Sequence, residues 1–172
     1  ADALCNNIDG RTASTLANTG PVTGASQTSM EVPTSTGNPV ISYFWNQSDS
    51  ATQLTSGSLN VVACNDAECS SGETTELDST GITGQANSMA LGANGFPVIA
   101  YYDRSNQDLK LARCSNVRCT AAVLSVVDSI GNSTTGTGHG TTSIAVAPDG
   151  RIGISYFDAN VDTLKLAVLP AS

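Results

Sequence analysis

Few residues in this chain have types and spacing suited to chemistry: five cysteines, one histidine and a scatter of aspartates. Cys64 and Cys69 form a C-x4-C pair, and Cys114 and Cys119 form another. That spacing lets two thiols bridge the arms of a tight hairpin, where Cα atoms come within about 4.4–6.8 Å. The competing chemistry is a four-cysteine zinc site, whose pairs are usually spaced C-x2–4-C. The two pairs fall in separate segments of a chain rich in Ser, Thr and Gly, so the reading is two disulfides and an oxidising compartment. Cys5 is then left over, either as a free thiol or as half of an intermolecular bridge.

His139 lies in Gly136-Thr-Gly-His-Gly140 beside several hydroxyls, the raw material of a nucleophile and its base. No Gly-x-Ser-x-Gly elbow accompanies it and no third member can be assigned, so the chain is not expected to be an enzyme. Metalloprotease, phosphate-loop and dinucleotide fingerprints are also missing, and no cofactor is expected. Asp103 and Asp158, followed by Asp108 and Asp162, stand at equivalent places and could offer oxygen ligands to calcium. Trp45 takes that place in another copy and no D-x-D-x-D run exists, so these aspartates read better as turn residues bonding nearby amides, and no metal is expected. Lys110 and Lys165 read as members of surface ion pairs, each worth about 0–1 kcal/mol. Trp45, the only tryptophan, is the best candidate for a ligand contact. Asn46-Gln-Ser48 and Asn132-Ser-Thr134 are glycosylation sequons in expected loops.

These residues sit on a repeat. Gly95-Phe-Pro-Val-Ile-Ala-Tyr-Tyr-Asp103 with Asp108-Leu-Lys-Leu-Ala-Arg-Cys114 has a counterpart on each side. Upstream stand Gly37-Asn-Pro-Val-Ile-Ser-Tyr-Phe-Trp45 and Ser58-Leu-Asn-Val-Val-Ala-Cys64. Downstream stand Gly150-Arg-Ile-Gly-Ile-Ser-Tyr-Phe-Asp158 and Thr163-Leu-Lys-Leu-Ala-Val-Leu169. Ser29-Met-Glu-Val32, Ser88-Met-Ala-Leu91 and Ser143-Ile-Ala-Val146 precede them, giving a period of roughly 55 residues. Each repeat reads as strands: the Ser-led run, a buried Pro-Val-Ile-x-Tyr run, an alternating Leu-Lys-Leu-Ala run and a fourth strand. The fourth is Thr74–Leu77 in the first repeat and Ala122–Val127 in the second. Asn94-Gly95 and Asp149-Gly150 mark hairpins, and no segment carries a helical period. The first repeat is expected to have a long connector, Asn46 to Gly57, between its second and third strands. The aromatic pairs Tyr43/Phe44, Tyr101/Tyr102 and Tyr156/Phe157 are expected to fill space between sheets.

The third repeat has no segment for a fourth strand after Leu169, while residues 1–28 hold a spare strand over Thr12–Ala17. Leu16-Ala-Asn-Thr-Gly20 matches Leu77-Asp-Ser-Thr-Gly81 at the end of the first repeat. Thr12, Ser14 and Leu16 are therefore the candidate assembly-strand residues. The expected fold is all-β: three four-stranded antiparallel blades in a propeller-like array, the third completed by the N-terminal strand in cis or from a neighbour. The division is residues 1–28 as strand and connector, then 29–172 as the array, with repeats at about 29–86, 87–141 and 142–172.

The pattern G-x-P-x-I-S-Y-x-D followed by L-K-L-A-x-C, running from residue 29 to 169, resembles bacterial extracellular repeat proteins of β-propeller type. The resemblance implies blades and says nothing specific about function, since such folds host enzymes, lectins and scaffolds. The Asp-box of sialidase-like propellers and the Trp-Asp repeat signature are absent, so those families lend no functional residues. Propellers have about 4–8 blades, and three is a deficit. Two chains could make one six-bladed ring, or the N-terminal strand of one chain could complete the next.

A formal charge of −8, with two lysines and five arginines, is set against nucleic acid and anionic membranes as partners. No apolar run reaches the ~20 residues needed to cross a bilayer as a helix, so membrane insertion is not expected. The start of the chain lacks the charged and apolar regions of a signal peptide and reads as the product of signal removal. The expectation is a secreted or cell-surface structural protein, a homopolymer or homo-oligomer built by strand exchange. The alternative is a lectin-like or adhesive module that binds glycans as a six-bladed homodimer.

Overall fold

The computed structural model describes residues 25–48, 54–131 and 141–171. Among them there are no helices, and eleven strands form three antiparallel sheets, one per repeat. Sheet 1 runs β1 (Ala25–Glu31), β2 (Val40–Ser48), β3 (Leu54–Cys64) and β4 (Gly72–Asp78), each strand paired with the next in sequence. Sheet 2 repeats the order with β5 (Thr83–Leu91), β6 (Pro97–Asp103), β7 (Asp108–Cys114) and β8 (Ala122–Ser129). Sheet 3 has three strands, β9 (Thr142–Val146), β10 (Ile152–Asp158) and β11 (Thr163–Leu169). The sheets do not close on one another.

The hairpins form where glycine frees the backbone. Gly95 and Gly150 take φ of +77° and +84°, a region that only glycine enters cheaply. The preceding Asn94 and Asp149 accept hydrogen bonds from the amides of Phe96 (3.0 Å) and Arg151 (3.1 Å). The expected connector from Asn46 to Gly57 is instead paired strand at both its ends, with Asn46 opposite Gly57 and Gln47 opposite Ser56. This extension carries no apolar alternation to betray it, because ladder hydrogen bonds between main-chain groups hold it. Gly57 is needed there, since a Cβ would collide with the ring of Phe44.

The sheets pack face against face, with β5 beside β1 and β9 beside β5. Val40, Leu59 and Val61 of sheet 1 meet Met89, Ile99 and Tyr101 of sheet 2. One junction on, Val98, Tyr102, Leu109 and Leu111 of sheet 2 meet Ile144, Ile152, Ile154 and Tyr156 of sheet 3. Tyr101 and Tyr102 thus point to opposite faces and fill the two junctions. Sheet 2 lies between the others, so every residue of β6 is buried, as its unbroken apolar run requires. The β1 and β5 strands each carry a bulge, centred on Gln27 and Ala86 with φ of 52° and 51°. The bulges let side chains reach the neighbouring strand: Asn87 donates to the Gln27 carbonyl and accepts a 2.7 Å bond from Ser42 Oγ.

Candidate assembly interface

Each junction is pinned by the same polar cluster. In the first, the Tyr101 hydroxyl donates to Asp78 Oδ2 at 2.7 Å, and Lys110 Nζ reaches the same oxygen at 2.5 Å. Lys110 also lies 3.4 Å from Asp103, and its side chain is only 12% exposed. The second junction has Tyr156 donating to Asp128 at 2.6 Å, with Lys165 paired to Asp128 at 3.3 Å and to Asp158. In each, the fourth strand of one sheet supplies an aspartate and the next sheet supplies the tyrosine, the lysine and a second aspartate.

The electrostatics follow from this geometry. Burial works to raise the Asp78 carboxyl, but hydrogen bonds from Lys110, Thr80 and Tyr101 outweigh it and hold the group below the usual range. For Lys110 burial works downward, and its partners Asp78 and Asp103 leave the ammonium above its ordinary value. Burial and the Asp78 bond push the Tyr101 phenol well above 10. At the second junction partial burial and the Asp128 bond push Tyr156 up to about 12. Asp158 is held low by Lys165. Lys110, expected in a surface pair, is instead part-buried with its side chain 12% exposed, whereas Lys165, 37% exposed, keeps the surface character expected of it. Asp103 and Asp158 end β6 and β10 and also accept the amides of Asn106 (3.1 Å) and Asn160 (2.8 Å), the turn role read from the sequence.

The two expected disulfides are formed, Cys64–Cys69 with Cα atoms 4.9 Å apart and Cys114–Cys119 with 4.8 Å. They staple the β3–β4 and β7–β8 hairpins and point to an oxidising environment. No helix among the described residues is long and apolar enough to cross a membrane. Arg118, inside the second staple, donates to the carbonyls of Cys64 and Ala63 at 3.2 Å each and so ties one hairpin to the other. Trp45 is half-buried on the outer face of sheet 1, packed against the cluster of Tyr43, Val62, Cys64 and Cys69. Asn46 lies in β2 rather than in a loop. Cys5, Thr12, Ser14, Leu16, His139 and the sequon at Asn132 lie outside the described residues.

Asp78 and Asp128 were not singled out by sequence reasoning. The signal was present in the aligned Leu77-Asp-Ser-Thr-Gly81 and Val127-Asp-Ser-Ile-Gly131. The first repeat lacks this cluster altogether. Asn60 stands where Lys110 and Lys165 do, bonding Ser58 Oγ at 2.8 Å, and Trp45 stands where the second aspartate would.

Two surfaces are left without partners among the described residues. One is the outer edge of β11, where β4 and β8 complete the other sheets. The other is the outer face of sheet 3, where Leu164 and Leu166 are 77% and 67% exposed. No protein-family model matches this chain, and no curated protein sequence matches it.

Proposed function

We propose that this chain is a secreted, non-catalytic structural subunit that polymerises into an extracellular filament or surface layer. In this reading the sheets are blades of a propeller-like array, and the N-terminal segment of one subunit adds the fourth strand to sheet 3 of the next. The observation that carries it is the edge of β11, which no strand pairs among the described residues, beside two sheets of the same repeat that have a fourth strand. The match of Leu16–Gly20 to the end of β4 and the β4–β5 turn, Leu77–Gly81, names the strand that fits there. An unpaired edge is a template for another chain, and main-chain hydrogen bonds would supply the affinity. Cys5 is then placed to bridge subunits. Since β1 begins at Ala25, within the segment assigned to residues 1–28, the donated portion ends at residue 24.

The test is complementation. A chain beginning at Ala25 should lose polymerisation, bind a peptide of residues 8–21, and gain hydrogen-exchange protection at the β11 amides when it binds. A truncated chain that polymerises as before, or a peptide that leaves β11 unprotected, sinks strand exchange.

A further inference from the structure

We propose that Lys110 and Asp78 condense after folding into an amide bond that ties β7 to β4 across the first junction. This covalent cross-link is separate from self-assembly and stands whether or not the chain polymerises.

The groups such a step needs meet at this one place. Lys110 Nζ is the nucleophile, 2.5 Å from Asp78 Oδ2. Asp103 Oδ2 lies 3.4 Å from the same nitrogen and is a second carboxylate able to take up a proton and return it. The Tyr101 hydroxyl donates to Asp78 Oδ2 at 2.7 Å, on the oxygen that leaves. The other oxygen, Oδ1, accepts the Thr80 hydroxyl at 2.7 Å and the Thr80 amide at 3.2 Å. Those two donors face the atom on which negative charge develops when the amine adds to Cγ. The side chains of Asp78 and Asp103 are 0% and 1% exposed. The fold thus holds the reactants together and keeps out water, the reactant of the reverse step.

The step balances without a co-reactant. Lys110 and Asp78 rest as ammonium and carboxylate, and until they condense the pair titrates as two charged groups. A proton passing from Nζ to Oδ2 gives the neutral amine and acid that react. The nitrogen lone pair forms the bond to Cγ, and Asp103 takes a proton from that nitrogen. The Cγ–Oδ2 bond then breaks with its electron pair, and the proton held by Asp103 completes a water molecule. The ammonium and the Asp78 carboxylate are both consumed, with the desolvation cost that each carries when buried. Asp103 keeps the Asn106 amide and side-chain donors.

The second junction lacks these conditions. Lys165 lies nearer to Asp158 than to Asp128, and the Lys165 and Asp128 side chains are 37% and 32% exposed. Ile130 stands where Thr80 does, so no hydroxyl at that place faces Asp128. Lys165 should therefore stay a free amine.

The test is mass spectrometry on the full chain, stored folded and then denatured with its disulfides reduced. The chain should be lighter than its sequence by one water, and the loss should map to a branched peptide joining the Asp78 and Lys110 segments. Acetic anhydride added after denaturation should label Lys165 and leave Lys110 unlabelled. Asp103→Asn and Thr80→Val should each slow the loss of water about a hundredfold, with circular dichroism unchanged. A folded chain that keeps its full mass, with Lys110 labelled as readily as Lys165, overturns the proposal. So does a lost water that maps to Lys165 or to a succinimide at Asp149-Gly150. An Asp103→Asn chain that condenses at the native rate overturns the role given to Asp103.

Discussion

The β7 and β11 strands share the sequence Leu-Lys-Leu-Ala and each pairs antiparallel with the strand before it, yet their leucines meet opposite fates. Leu109 and Leu111 are fully buried, while Leu164 and Leu166 are exposed. The strands do not differ in propensity. They differ in their surroundings among the described residues: β7 has β8 beside it and sheet 3 packed on its face, and β11 has neither a second strand beside it nor a covering sheet. Fully burying such a side chain is worth about 1.5–3 kcal/mol, so sheet 3 holds back a favourable term that sheet 2 has already used. An exposed apolar face of this kind marks an interaction surface.

The sharpest way to break the comparison is to put a charge into each strand. Leu111→Asp should prevent folding, because an unpaired carboxylate in that core costs well over 4 kcal/mol. Leu166→Asp should leave the melting temperature almost unmoved and instead lower native mass. Circular dichroism and light scattering check the pair. The lysines come next. Lys110→Ala strands Asp78 in a buried site and should cost about 3 kcal/mol in denaturant unfolding. Lys165→Ala, at the more open second junction, should cost distinctly less.

Selective loss of the staples is a smaller effect. Each disulfide closes a very short loop, so replacing either pair by Ala should cost about 2 kcal/mol. Sheet 3, which has no staple, should keep its hydrogen-exchange protection unchanged.

pH sharpens the same contrast. Lys110 and Tyr101 have raised values in the folded state, so their contribution is intact below about pH 10 and drains away as pH climbs toward those values. Asp78, Asp128 and Asp158 are depressed. Their contribution is present above about pH 4 and is lost as pH falls through the folded values. Thermal melts should show a plateau between these limits. Lys110→Ala should flatten the alkaline fall more than Lys165→Ala does.

Much of this was legible because the repeat aligns three versions of one sheet. The strand order, both staples, the two-faced aromatics and the incomplete third repeat all come from spacing and alternation. The polar junctions were not legible. Lys110 looks like a surface residue on an alternating strand, and only the packing of sheet 2 on sheet 1 brings Asp78 over it. The β2–β3 extension was missed for a related reason: Asn46, Gln47 and Ser56 carry no apolar signal, and their pairing is a property of the backbone. Met30 and Leu166 look identical in sequence to their buried equivalents, since exposure depends on what packs against each sheet.

The most direct measurement is light scattering over a range of concentrations on three proteins: the intact chain, the chain beginning at Ala25, and Leu164→Asp/Leu166→Asp. The account predicts that the mass of the intact chain grows without a fixed limit and that both variants collapse to small species. An intact chain that stays monomeric at every concentration would contradict self-assembly through sheet 3.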